Sequence, residues 1–212
     1  MKLRILCTDP AHPVNAWLDR WVSAQREAGH DVAVFRDWRA LDGGGDLLFL
    51  VSCHQMIREP VRSQFRHTLV VHAAALPFGR GMSPQVWQIL ADAREITVTL
   101  LDAVDELDQG DIWHQQTMVL AGTELHDEIH AKLFDTECAL MSWAVAHIDS
   151  STPRKQQGEA SYFRKRTPED SRIDPERPLA EAFDLLRICD PERYPAFFDY
   201  RGQRYRLRID KV

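Results

Sequence analysis

VVHAAALPFGRGMSPQVWQIL, residues 70–90, opens as a buried-type strand and closes as a helix. Between the two lie one histidine (His72), a Leu76-Pro77 pair, Gly79 and Gly81 on either side of Arg80, and Ser83-Pro84. A strand that delivers a single titratable side chain into a Gly/Pro-rich turn is a common way to build a site at the carboxyl edge of an α/β sheet. Pro84 suits the first position of the helix that follows.

The flanking sequence predicts the rest of such a sheet. Upstream, Lys2–Cys7 reads as a strand, and Trp17, Leu18, Trp21 and Val22 define a helix that stops at Gly29. Asp31–Phe35 is a second strand. The run DLLFLVS (46–52) is a third, continuously apolar as in a parallel sheet buried on both faces. A short charged helix over 56–65, broken at Pro60, leads to the fourth strand at His67–His72. Downstream come a strand at Glu95–Leu101, a loop Asp102–Gly110 with four carboxylates, and a strand at Asp111–Leu120. A long helix runs from Glu124 to His147 with Thr123 as its N-cap and Leu125, Ile129, Leu133, Leu140 and Met141 on its buried side. This alternation predicts an α/β, Rossmann-like, mostly parallel sheet flanked by helices over residues 1–150. The polar Ser150–Gly158 reads as a linker. Residues 151–212, with a helix at Leu179–Ile188 and a hairpin of Ala196–Tyr200 and Gln203–Ile209, read as a small appendage docked on that domain.

Composition excludes several function classes. No apolar run reaches the roughly 18 residues of a membrane span, and the N-terminus lacks the h-region of a signal peptide, so a cytoplasmic protein is expected. Cys7, Cys53, Cys138 and Cys189 are scattered without a CxxC pair and read as reduced thiols. Residues 1–152 carry 12 Lys and Arg against 21 Asp and Glu, whereas residues 153–212 carry 14 against 11. An acidic body does not suit nucleic acid. The weakly basic tail suits a phosphate-bearing small molecule as well as it suits a solvated surface of mixed charge.

Candidate chemistry starts from His72, either a general acid–base group or a structural hydrogen-bonder. Asp108 follows another strand and is a partner that would orient the imidazole. Asp102, Asp105, Glu106 and Asp111 compete for that role. The loop Thr8–Asn15 lies between the first strand and its helix, a phosphate-binding location, but lacks G-x-G-x-x-G. His12 and Asn15 there are substrate contacts or simply turn and N-cap residues. His126 and His130 sit at i and i+4, the spacing of a metal pair, but position 127 is Asp rather than Glu and no third ligand follows. A polar helix face, with no metal, is the expectation. Cys53 has only its place after a strand in favour of a nucleophilic role, and no G-x-S-x-G or P-loop is present.

Together these motifs resemble the 10-formyltetrahydrofolate-dependent formyltransferases. Their signature N-x-H-x-S-L-L-P-x-x-x-G appears as VVHAAALPFGRG, and their L-D-x-G-D loop as ELDQGDI at 106–112. The family's catalytic His and Asp are 36 residues apart, as are His72 and Asp108. DPAHPVNAWL, GRGMSPQVWQIL, YFRKRTPEDSRID and FDLLRICDPERYPAFF most resemble a compact branch of sugar N-formyltransferases. The resemblance implies formyl transfer from 10-formyltetrahydrofolate to the amino group of a nucleotide-activated amino sugar, such as a nonulosonic acid derivative, for surface glycans. Methionyl-tRNA formyltransferase is the less favoured relative. It implies His72 and Asp108 as catalytic residues and a pterin site along Asp102, Asp105, Glu106 and Ser52, Cys53 and His54. The acceptor is expected against His12, Asn15, Phe78, Arg80, Gly81, Ser83, Trp87, Tyr162 and Arg164. Exposed Tyr200 and Tyr205 hint at a homodimer contact; no nucleic acid or membrane partner is expected. Two departures stand out. The family's Asn is Val70 and its Ser is Ala74, so Ser52, His54 or a backbone N–H must replace a donor, or the chain is a weak or inactive folate- or nucleotide-binding homologue.

Overall fold

A computed structural model describes all 212 residues. In chain order it has β1 (Lys2–Leu6), α1 (Asn15–Glu27), β2 (Asp31–Phe35), β3 (Gly45–Leu50), α2 (Glu59–Arg62), β4 (Phe65–His72), β5 (Arg80–Gly81), α3 (Pro84–Leu90), β6 (Glu95–Asp102) and β7 (Ile112–Val119). There follow α4 (His126–His147), β8 (Tyr162–Phe163), α5 (Leu179–Ile188), β9 (Ala196–Tyr200) and β10 (Gln203–Leu207). Six strands form one sheet in the order β2-β1-β3-β4-β6-β7. The first four are mutually parallel, and β6 runs antiparallel to both β4 and β7. This is the expected α/β architecture, a mostly parallel sheet flanked by helices.

The apolar run of β3 explains the layering. Leu47 and Phe49 enter the large core beneath α1 and α4, while Leu48 and Leu50 face the opposite side with Leu6 and Phe65. Side chains alternate across a strand, so a run apolar at every position requires cover on both faces. The same order places the carboxyl end of β4 at the middle of the sheet, beside the end of β3. No helix is long and apolar enough to cross a membrane. The four cysteines are free thiols.

Three local expectations are corrected. The helix over 56–65 shrinks to Glu59–Arg62, with Pro60 inside its first turn rather than breaking it. Helix α4 begins at His126 with Leu125 at the N-cap, not at Glu124 after Thr123. The reason is Glu124. Its carboxylate folds back onto the N–H groups of Ala121 (2.8 Å) and Gly122 (2.9 Å), making a turn of its own before the helix, and Glu128 takes the Leu125 N–H at 2.8 Å. Finally, Ser150–Gly158 is no free linker. Arg154 exchanges backbone hydrogen bonds with Ile112 at 2.8 and 2.9 Å, which ties the segment to the start of β7.

The tail is also held by a buried charge. Arg187 of α5 is 1% exposed, bonds Asp184 at 2.5 Å and donates to the Glu124 carbonyl at 3.3 Å. Glu124 therefore joins the entry of α4 to α5. Burial alone would raise its carboxyl, but the Lys132 ammonium at 2.6 Å and the backbone N–H groups win and bring it down to about 2. A folded value below the unfolded one adds stability above the ordinary glutamate range and loses it as pH falls toward the folded value. Glu124→Gln is expected to lower the Tm at neutral pH. Thermal melts should show the gap to wild type closing between about pH 4.5 and about 2; a gap independent of pH across that window would refute the assignment.

Candidate active site

His72 is the last residue of β4 and is 7% exposed. Its Nε2 lies 2.8 Å from the Gly79 carbonyl. A carbonyl only accepts, so Nε2 carries the hydrogen. Nδ1 faces the Asp108 Oδ2 at 3.6 Å. That is ion-pair range but too long for a hydrogen bond, so a proton on Nδ1 is not locked to the carboxylate. The same Oδ2 accepts the Gly81 N–H at 2.8 Å. Asp108 thus joins the β6–β7 loop to the turn after β4, and its own backbone is left-handed at φ 56°.

Close backbone approaches hold this geometry. A Cβ on Gly110 would lie 1.8 Å from the Asp102 carbonyl, and one on Gly81 would lie 2.3 Å from the Phe163 carbonyl. Gly81 belongs to β5, which pairs in parallel with β8 from the tail. Neither position admits a side chain without moving backbone.

The pair opens onto a cleft of about 430 Å³. Of the residues expected in the site, His12, Ser52, Cys53, His54, Gly81, Ser83, Asp102 and Glu106 line it with His72 and Asp108. Leu50, Ile57, Val70, Leu101 and Val104 form an apolar slot beside the irregular backbone of 103–107. Such a slot, apolar on its faces and edged by backbone polar groups, fits a flat heteroaromatic ring. The Asp102 carboxylate itself accepts the Trp113 Nε1–H at 2.8 Å, and burial pushes it up against that bond.

Other expected residues lie outside the cleft wall. The Asp105 carboxylate is held by Arg62 at 2.9 Å. Asn15 donates to the carbonyls of Asp9, Pro10 and His12 and accepts from Arg36, so it neither caps α1, whose N-cap is Val14, nor keeps its amide free for a ligand. Arg80 is 9% exposed and spends its guanidinium on Gln156 (2.6 Å) and the Tyr162 hydroxyl (3.1 Å). Phe78 and Trp87 both pack on Phe163, at 5.7 and 6.4 Å between ring centroids, and Arg164 lies 4.7 Å over Trp87. Phe78 and Tyr162 stay exposed, so an aromatic and arginine cluster borders the turn.

Several positioning residues carry no local sequence signal. Gln156 donates to the carbonyls of Asp108 (2.7 Å) and Gly110 (2.9 Å) while accepting from Arg80, which makes it the clasp between loop, turn and tail. Ser161 accepts the Gly79 N–H at 2.8 Å. Thr99 donates to the Ala74 carbonyl at 2.6 Å and accepts from Gln115 at 2.9 Å. Val70 offers no donor and packs with apolar neighbours, Leu76 and Leu101 among them. Ser52, whose φ is 46°, brings its Oγ 3.3 Å from the His12 Nε2. Burial leads the causes that bring His12 down to about 4, so its ring is neutral near pH 7. His126 and His130 pack ring to ring at 4.1 Å, but no group of three or more His, Cys, Asp or Glu side chains is arranged to hold a metal ion.

Comparison with known proteins meets this geometry. The chain is 30% identical over 187 residues to a methionyl-tRNA formyltransferase of Rhizobium meliloti, covering 84% of this chain and 58% of that one. It therefore spans little more than half of that relative's length. Among solved structures, HypX of Aquifex aeolicus in complex with tetrahydrofolic acid superposes with a TM-score of 0.79 at 21% identity, over 99% of this chain and 37% of that one. A sugar N-formyltransferase from Shewanella sp. FDAARGOS_354 superposes at 0.74 and 14% identity, over 100% of this chain and 98% of that one. At such identities these two structures speak for the fold alone. The family model for formyl transferase matches residues 12–145, a span that carries both halves of the His72–Asp108 pair and most of the sheet beneath it, and the chain belongs to that family.

Proposed function

We propose that the chain transfers a formyl group from 10-formyltetrahydrofolate to the amino group of a nucleotide-activated amino sugar. The observation that carries this reading is the His72 Nδ1–Asp108 Oδ2 pair, 3.6 Å apart at the edge of the cleft. Bound in the slot between Leu50, Ile57, Val70 and the 103–107 backbone, the folate would supply an electrophilic formyl carbon. His72 has one nitrogen committed to Gly79. Its other nitrogen, when protonated, would stabilise negative charge developing on the formyl oxygen. Asp108 faces that nitrogen without closing on it and would relay the amine proton that reaches the leaving folate nitrogen. Residues 151–212 complete the acceptor side through the β5–β8 pairing and the Phe78, Phe163, Trp87 and Arg164 cluster, an aromatic and cationic edge beside the turn. The acidic body of the chain argues against a tRNA acceptor.

Val70 favours a second reading. A missing oxyanion donor costs about 3 kcal/mol, roughly a hundredfold in rate, so the chain is alternatively a folate-binding homologue with little transfer activity. Release of tetrahydrofolate from 10-formyltetrahydrofolate, measured over a panel of nucleotide-linked amino sugars, separates the two. Tight folate binding without release across the panel favours the second; release driven by methionyl-tRNA alone would reassign the acceptor.

His72→Ala and Asp108→Asn are each expected to cut turnover by about a hundredfold or more without lowering the Tm by more than a few degrees. Near-native rates in either would refute their roles. Gln156→Ala, which frees the Asp108 loop, should lower kcat by about tenfold, equivalent to about 1.4 kcal/mol. Steady-state kinetics showing an unchanged kcat would remove Gln156 from the site.

A further inference from the structure

We propose that the α4 wall of the cleft is the acceptor-amine subsite and that Glu137 is the residue that receives the amine. The inference rests on the function proposed above and names a residue which that mechanism leaves unused. His130, Leu133, Phe134 and Glu137 of α4 line the same cleft as His72 and Asp108. His130 and Glu137 are seven residues apart, so they share a helix face about 10 Å from end to end. Phe134 fills the space between them, with the His130 ring stacked 5.2 Å away and the His12 ring edge-on at 5.8 Å.

Two polar atoms on this wall have no partner. The Nδ1 of His130 and the Oε2 of Glu137 are both buried without a hydrogen bond. Buried polar atoms in native proteins are almost always partnered, and an apolar side chain at position 137 would be more stable. An unpaired carboxyl facing the cleft is therefore a group waiting for a ligand that donates. Its environment selects the ligand's charge. Burial keeps the rings of His12 and His130 neutral, at about 4 and about 3, so an ammonium on this wall meets a carboxyl and no opposing cation from either ring.

The chemistry of the acceptor matches. An alkyl amine arrives as an ammonium and must lose one proton to expose its lone pair. Burial keeps this carboxyl mainly protonated near pH 7 while the site is empty, so it yields that proton to solvent as the ammonium binds; the carboxylate so formed then takes one ammonium proton, leaving a neutral amine beside a neutral carboxylic acid. Desolvation pushes this carboxyl up to about 8, which makes the transfer cheap, whereas an ordinary glutamate would hold the proton poorly. The amine then forms the C–N bond to the formyl carbon, the bond from that carbon to the folate nitrogen breaks, and that nitrogen takes the second amine proton. Glu137 ends the cycle protonated as it began, so the proton displaced as the ammonium bound is the one released per turnover.

The test uses the full chain with 10-formyltetrahydrofolate and the panel of nucleotide-linked amino sugars. Glu137→Gln should raise the acceptor KM about tenfold or more and leave the 10-formyltetrahydrofolate KM unchanged. Glu137→Met should keep or raise the Tm while losing acceptor binding in the same way, because a receiving group is kept at the expense of packing. An acceptor KM within twofold of wild type in Glu137→Gln, or a lowered Tm in Glu137→Met, would overturn the proposal by making the residue idle or structural. If the wild type formylates no amino sugar, the function falls and takes this subsite with it. If the wild type turns over and Glu137→Gln matches it, the subsite alone falls.

Discussion

One carboxylate oxygen organises the site. The Asp108 Oδ2 accepts the Gly81 N–H at 2.8 Å and faces the His72 Nδ1 at 3.6 Å. The first contact is a charge-assisted hydrogen bond to backbone, among the stronger kinds a protein makes. It fixes the distance between two segments that come from different strand ends. The second contact is long enough for the imidazole proton to be shared with a reacting group. If Asp108 were held by His72 alone, it would close on the ring and quench it. Because the turn already holds it, the carboxylate can orient the ring without binding its proton.

That arrangement depends on chain far downstream. The turn after β4 is pinned by the tail at three points: the β5–β8 pairing, the Ser161 hydroxyl on the Gly79 N–H, and the Gln156 carbonyl oxygen on Arg80, while the Gln156 amide holds the Asp108 loop. Glycines at 81 and 110 let backbones meet at distances that no Cβ would permit. The tail is in turn fixed to the entry of α4 by the buried Arg187. Sheet, turn and tail are thus one mechanical unit, although their residues are widely spaced in the chain.

This spacing sets what the sequence reveals. The strand that delivers His72 and the fully covered β3 are readable because period and burial are local properties. His72 and Asp108 stand out because one ends a strand and the other lies in the loop after a strand, each beside a glycine-bearing turn. Gln156, Ser161 and Phe163 are invisible: each lies in a polar stretch without periodicity, and each acts through a partner tens of residues away. Asn15 and Thr123 mislead for a related reason. Both have the right type for a helix cap, but the Asn15 oxygen is taken by Arg36, and Glu124 supplies the turn that Thr123 was expected to cap. Propensity ranks candidates for a backbone group; the fold decides which of them is free.

Helix α4 shows the same rule from the opposite side. Its i, i+4 histidines suggest a metal pair, yet His130 continues with Phe134 and Glu137 into the cleft rather than joining a ligand cluster. The face a helix turns to a cavity is set by the sheet it packs on, and here the large core takes Ile129, Leu133, Leu140 and Met141. Position 137 falls at the edge of that core and at the wall of the cleft. A sequence optimised only for packing would fill it with an apolar side chain, as it does at Leu133 and Leu140. A carboxyl kept there, with no internal partner, is stable only on balance with the rest of the domain. It is therefore a local violation of packing logic, of the kind that proteins concentrate where a ligand completes the structure.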